Sequence, residues 1–269
     1  VFSPWYAWSG RRDPADHCCL NVATCGRGGR WTMTDRGAAA LAVSARTLRI
    51  GPSAMHWDGT RLTVEIDELA WPHLHRLRGE VTVIPDAVTA VELPLTADGT
   101  HIWRPFAPSA RIEVRLDRPG WSWDGHGYLD ANFGTRALEA DFRYWTWGRF
   151  PTRGGATVFY DATRADGSEL ALGIRFRGAG AEVIEPPPRA RLPRSLWAVR
   201  RETRADPGYR PRQVAPMLDA PFYCRSAVRT RIGGEETVGV HEALDLTRFA
   251  RPWLKPMLAL KVPRRARWP

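Results

Sequence analysis

Residues 111–117, RIEVRLD, alternate without exception: Ile112, Val114 and Leu116 are apolar, while Arg111, Glu113, Arg115 and Asp117 are charged. A period of two marks a strand with one buried and one wet face, because successive side chains on extended backbone leave by opposite sides. The pattern recurs upstream in RLTVEID, on Leu62, Val64 and Ile66, and downstream in ELALGIRF, on Leu170, Leu172, Ile174 and Phe176. Between such runs fall Asp58-Gly59, Asp98-Gly99, Asp166-Gly167 and Gly233-Gly234, pairs that supply the positive φ of tight hairpins. With 22 prolines and 24 glycines there is little room for long helices. The one candidate, DLTRFARPWLKPML, is interrupted by Pro252 and Pro256.

The expected fold class is therefore all-β, a succession of antiparallel hairpins of the kind that close into barrels or stack into sandwiches. A chain of 269 residues is large for one eight-stranded barrel and comfortable for two. The break is placed at RLDRPGWSWDG, where a strand runs into a Pro-Gly turn, giving domains 1–118 and 119–269 with a site near their junction. EPPPRARLP, at 185–193, reads as a long loop inside the later half.

Composition narrows the function. The formal charge is +10, but the basic residues are nearly all arginine, with Lys255 and Lys261 the only lysines, and they are interspersed with acids. No stripe of the kind that tracks phosphates is present, so no nucleic-acid partner is expected. No apolar run is long enough to span a bilayer. The carboxy-terminal RPWLKPMLALKVPRRARWP mixes cationic and apolar residues, as a surface touching an anionic membrane does, and equally as a solvated tail does. Cys18, Cys19, Cys25 and Cys224 show no zinc spacing and are expected as reduced thiols. His73 and His75 have no third ligand at a telling spacing, and Ser53 lacks the elbow of a hydrolase nucleophile, so no metal and no cofactor are expected.

The stretch with chemical content is GHGYLDANFG, residues 125–134, where Asp130 stands among apolar and aromatic neighbours, Tyr128 and Phe133 included, without a lysine or arginine. Strand geometry puts Tyr128 and Asp130 on one face, and likewise His101 and Trp103 in THIWRP. If the two faces share an apolar cavity, they assemble an acid, an imidazole, an indole and a phenol. That set suits protonation of an unactivated alkene: a neutral acid, electron-rich rings for the cation, and an acceptor for the proton of an added water. A free aspartate keeps its proton at pH 7 only at a cost of about 4 kcal/mol, which burial can offset. Trp103 and Tyr128 would hold the cation over their faces, and His101 would relay a proton to Asp130 or take one from water. Against this stand an aspartate capping a glycine-rich turn, a tryptophan among thirteen, and a surface histidine. YWTWGR, with Tyr144, Trp145, Trp147 and Arg149, reads as barrel wall that also suits a polyene ligand.

The pieces VFSPWYAW, LNVA, RWTMTDRG, IGPSAMHWDG, HIWRPFAPSARIEV, GYLDANFG, LEADF, WTWGR, PFYCRS and HEALDLTRF run through nearly the whole chain in this order. On them the sequence resembles the bacterial carotenoid 1,2-hydratases, also called hydroxyneurosporene synthases. WTW stands where that family has Trp-Asp-Trp, HEAL where it has His-Glu-Ser-Leu, and CCLNVATCG carries unusual cysteines. Family members carry further residues ahead of VFSP, and this chain opens at Val1 without a methionine. The resemblance implies two lipocalin-like barrels and a cofactor-independent addition of water to the terminal 1,2 double bond of acyclic carotenoids such as neurosporene and lycopene. It implies catalytic positions at His101, Trp103, Tyr128 and Asp130, with Trp145, Trp147, Tyr144 and Phe133 as the substrate-binding set. It also implies a cytoplasmic protein peripheral to the inner or photosynthetic membrane. A carrier that binds carotenoid without changing it is the competing reading; the oligomeric state is left open.

Overall fold

The computed structural model describes residues 3–265. Val1 and Phe2 of VFSPWYAW, and residues 266–269 of the carboxy-terminal segment, lie outside the described residues. Antiparallel strands dominate, and they form two large sheets.

In chain order the main strands are β1 (Leu41–Val43), β2 (Thr47–Ile50), β3 (Ser53–Trp57), β4 (Leu62–Ala70), β5 (His75–Pro85), β6 (Leu93–Pro94), β7 (His101–Arg118) and β8 (Trp121–Gly134). They continue as β9 (Phe142–Thr152), β10 (Gly155–Arg164), β11 (Glu169–Arg177), β12 (Gly180–Ile184), β13 (Arg212–Asp219), β14 (Tyr223–Ile232) and β15 (Glu235–Asp245). The first sheet has the order β8-β7-β5-β4-β3-β2-β1 with β6 also on β7, and the second β12-β11-β10-β9-β15-β14-β13. All four expected turn pairs join neighbouring strands, with their glycines at positive φ.

Two compact units result: residues 1–85, 110–127 and 252–269 form one, and residues 86–109 and 128–251 the other. Sequence reasoning set a single cut at 118/119, whereas this partition is discontinuous. Its cause is strand length: β7 spans 18 residues and β8 spans 14, enough for each to serve one unit with its first part and the other with its last.

In the first unit, β7 pairs with β5 so that Ile112 faces Val83, Val114 faces Val81 and Leu116 faces Gly79. Leu20, Ile66, Leu77, Val114 and Leu116 form the core, with Val64, Val81 and Ile112 against it, so the apolar beat of RIEVRLD is the buried beat. Gly79 has φ 146°, and a Cβ there would come 2.1 Å from the carbonyl oxygen of Arg115, so the pairing demands glycine.

In the second unit, β9 lies between β10 and β15. Its alternation sends Trp145, Trp147 and Arg149 to one face of the sheet and Tyr144, Thr146, Gly148 and Phe150 to the other. Phe150 packs there with Phe159, Val228, Ile232 and Leu192. Leu192 comes from the segment 185–193 that reads as loop in the sequence; Arg189–Leu192 is in fact a short strand paired with Arg201–Arg204.

The all-β expectation holds. Among the described residues, however, no pairing joins the two edges of either sheet into a closed barrel. The edge strands β12 and β13 are largely exposed, and carry Glu182, Arg212 and Pro216, the charged and proline residues that keep a sheet edge from pairing further. The helix candidate is two short helices, Leu246–Phe249 and Leu254–Ala259, separated at Pro252.

Candidate active site

The second unit brings Trp103, Tyr128 and Asp130 together through hydrogen bonds. Trp103, fully buried on β7, donates its indole Nε1–H to Asp130 Oδ2 at 2.8 Å and also lies 3.1 Å from the Tyr128 hydroxyl oxygen. The Tyr128 hydroxyl donates to the same Oδ2 at 2.9 Å, and Asn132 Nδ2 approaches it at 3.4 Å. Tyr128, Asp130 and Asn132 alternate on β8, which is why all three reach one point. Every one of these donors is spent on Oδ2. Burial pushes the Asp130 carboxyl above the usual carboxylate range, opposed by the hydrogen bonds from Trp103, Tyr128 and Asn132 and by the charge of Arg225. Burial likewise raises the Tyr128 hydroxyl well above its ordinary value, followed in size by the effect of the Asp130 charge.

Rings from the facing sheet close around this centre. Tyr128 meets Trp147 at 5.0 Å between centroids, and Trp103 meets Tyr160 at 5.6 Å. Tyr160 touches Trp145 at 6.0 Å, and Trp145 touches Phe142 at 5.7 Å. The result is an aromatic wall of π faces, suited to an electron-poor carbon and unsuited to attack on it.

His101 shares the buried side of β7 with Trp103 but has other partners. Its Nε2 pairs with Asp141 Oδ2 at 2.7 Å, and Arg136 binds both oxygens of Asp141, at 3.0 and 2.7 Å, while also reaching Asp98 at 2.9 Å. The Nδ1 edge of the ring abuts the backbone of Gly134, where an added Cβ would stand 2.5 Å away. His101 thus belongs to a network with Asp141, Arg136 and Asp98 whose outer members, Arg136 and Asp98, are exposed.

A family model described as carotenoid hydratase CrtC matches residues 1–269. The chain belongs to the carotenoid hydratase family. Its relatives include the acyclic carotenoid 1,2-hydratases of Cereibacter sphaeroides, 62% identical over 100% of this chain and 96% of that one, and of Rhodobacter capsulatus, 56% identical with the same coverage. That of Rubrivivax gelatinosus is 42% identical over 99% of this chain and 68% of its own. Among solved structures, an AttH protein of Nitrosomonas europaea superposes with a TM-score of 0.53 at 14% identity, covering 81% of this chain and 77% of that one. CghA with Sch210972 does so at 0.54 and 11%, covering 90% and 83%. At such identities the likeness concerns the fold.

Within this hydratase, the residues picked out in the sequence separate into groups. Trp103, Tyr128 and Asp130 form one hydrogen-bonded cluster, with Trp147 against Tyr128 and Trp145 one ring further along. Tyr144 is on the other face of β9, where it packs with Val199, Cys224 and Ala243 and donates to the Arg200 carbonyl at 2.7 Å. Phe133 is half exposed and alternates to the side of β8 opposite Asp130. Three residues escaped the sequence reading: Asn132, Asp141 and Tyr160. Asp141 lies 40 residues from His101, a separation no local pattern bridges. Asn132 was within reach, since it continues the i, i+2 series of Tyr128 and Asp130.

Proposed function

We propose that the protein adds water across the terminal 1,2 double bond of acyclic carotenoids, leaving a tertiary alcohol at C1. The observation that supports this reading is the one-sided solvation of Asp130: three donors point at Oδ2 and the carboxyl is raised by burial. An acid bound in this way carries its own proton on Oδ1, away from the donors, where an alkene carbon can take it. Protonation at C2 places the positive charge on the tertiary C1. Trp103 and Tyr128 serve twice, as donors that stabilise the carboxylate as it forms and as π faces for the cation, each worth roughly 1–2 kcal/mol in a dry site. The proton that the added water releases goes to an acceptor of the site, for which sequence reasoning offers the Asp130 carboxylate and His101. The names of the relatives support the substrate class.

Asp130→Asn keeps the shape and removes the acid. Incubated with lycopene, the wild-type protein is expected to yield a product heavier by one water, and the variant to lose that activity by at least about 100-fold. Near-native hydration by Asp130→Asn would refute the role; binding without any heavier product from the wild type would favour a carrier.

Two further readings accompany this one. A substrate that resides in lipid favours a protein peripheral to the cytoplasmic face of the inner or photosynthetic membrane. Exposed Trp253, Met257 and Leu260 beside Lys261 in the carboxy-terminal segment support such contact, and no helix among the described residues is long and apolar enough to cross a membrane. For the architecture, two lipocalin-like barrel-type units that share the long strands β7 and β8 remain our reading; likeness to the AttH and CghA folds supports a β-rich scaffold of this kind.

A further inference from the structure

One ion pair on the sheet that supplies the facing rings has no part in the chemistry above. Glu242 lies opposite Arg225 on one side and opposite Trp147 on the other, and Trp147 lies opposite Tyr160. One row across β10, β9, β15 and β14 therefore reads Tyr160, Trp147, Glu242, Arg225. Residues in register on neighbouring antiparallel strands share a face. The carboxylate thus stands on the face whose rings meet Trp103 and Tyr128. Arg225 reaches Glu242 through Nε at 2.8 Å and Nη2 at 2.7 Å, both on Oε1, which leaves Oε2 outside the ion pair. Arg225 Nε also donates to the Tyr223 hydroxyl at 2.9 Å. Stability is a weak explanation for this ion pair: the Arg225 side chain is 38% exposed and that of Glu242 21%, so solvent screens their attraction.

We propose that Glu242 holds the attacking water and takes its proton. The inference rests on the reading of Asp130 as the acid. Asp130 delivers its proton as the π electrons form the new C2–H bond, which leaves a tertiary cation at C1 and a carboxylate on Asp130. A lone pair of the water on Glu242 then forms the C1–O bond, and the proton lost by that oxygen passes to Glu242. Solvent returns one proton to Asp130 and removes one from Glu242, so the cycle adds one water and leaves no net charge.

Base strength is not what this step demands, since a protonated alcohol yields its proton to any carboxylate; position and charge decide. Arg225 sets a positive charge directly against Glu242 Oε1. Electrostatics agree with the geometry: after burial and the Asp130 charge, Glu242 contributes to raising the Tyr128 and Tyr160 hydroxyls, and Arg225 acts on Asp130. The other acceptors are engaged in clusters of their own. His101 Nε2 is held by Asp141, and the donors on Asp130 Oδ2 weaken it as a base.

Hydration in D2O separates the two roles. In Glu242→Gln, hydrated product is expected to fall about 100-fold, while deuterium still enters C2 of recovered lycopene, because the cation forms and then reverts. Asp130→Asn is expected to lose both. Glu242→Asp keeps the charge for Arg225 and is expected to hydrate about 10-fold more slowly with exchange intact. Hydration within about twofold of wild type in Glu242→Gln, or loss of exchange together with hydration in both Glu242 variants, would overturn the proposal. Should Glu242→Gln fail to fold, Glu242→Asp decides alone: hydration at the wild-type rate contradicts it. Exchange that survives in Asp130→Asn would instead overturn the acid role and leave Glu242 to be judged on hydration.

Discussion

At Asp130 two opposing influences meet, and the balance between them sets the chemistry. Burial favours the neutral acid, and the hydrogen bonds from Trp103, Tyr128 and Asn132 favour the anion. Arg149, Arg225, Glu242, Tyr128, Tyr160 and Tyr223 are among the charged or titratable groups on this side of the unit. If Asp130 is the acid, as proposed, the neutral form is the active one, and activity is expected at low pH and expected to be lost as pH rises through the raised pKa. Stability follows the same sign: the folded state holds a proton that the unfolded chain has released, so raising the pH through this window lowers the stability. Tyr128→Phe removes a hydrogen bond that favours the anion while keeping the ring. The alkaline limb of kcat/KM is therefore expected to move up by roughly one pH unit, since a hydrogen bond to a charged group is worth about 1.5 kcal/mol. A limb that stays or moves down in the pH–rate profile contradicts this. That Asp130 is special was legible in its neighbours along the chain. Its geometry was not, because Trp103 is 27 residues away and only folding shows that three donors share one oxygen.

At the scale of the strand, alternation located Tyr128 and Asp130 on β8 and His101 and Trp103 on β7, and the structure keeps each pair on its common side. Alternation is local, however, and says nothing of what lies opposite. His101 faces Asp141, from the short helix Leu138–Asp141 after β8, and Asp141 in turn is bound by Arg136. Tyr144 was grouped with Trp145 and Trp147 by proximity in sequence, yet an irregular register between Phe142 and Tyr144 and the period of two put it on the other face. Gly134 shows how tightly the strand end is matched: a Cβ would stand 2.5 Å from His101 Nδ1 and 2.7 Å from the Thr100 carbonyl oxygen. Gly134→Ala is expected to cost about 1–3 kcal/mol in chemical denaturation and to lower hydration by displacing His101. Unchanged denaturation and turnover would show that the ring has room to move.

Across the whole molecule, periodicity and turn pairs made the β class readable, because one buried face per strand is all an antiparallel sheet needs. Domain organisation was not readable in the same way. A strand of 18 residues looks like one element in sequence, although its two ends belong to different compact units. The buried pair of Arg36 and Glu68, with Ser53 on the same carboxylate, was equally hidden: Glu68 occupies a core position in the alternation of β4, with its ion-pair partner 32 positions away and a hydroxyl donor 15 positions away. The exposed Trp253, Met257 and Leu260 bear on partners at this scale. Flotation with anionic vesicles is expected to carry the wild-type protein upward, and Trp253→Ser/Leu260→Ser to reduce the floated fraction about fivefold, an apolar side chain being worth about 1.5–3 kcal/mol before partial burial is considered. Equal flotation of both proteins would remove that surface from consideration.

The protonation state of Asp130 is open to direct observation. An infrared difference spectrum of wild type minus Asp130→Asn, followed through a pH titration, isolates the C=O stretch of a single neutral carboxyl group. The band is expected to persist above the pH at which ordinary aspartates ionise and to disappear together with hydration activity. A band that vanishes in the ordinary aspartate range, with activity persisting above it, would contradict the account.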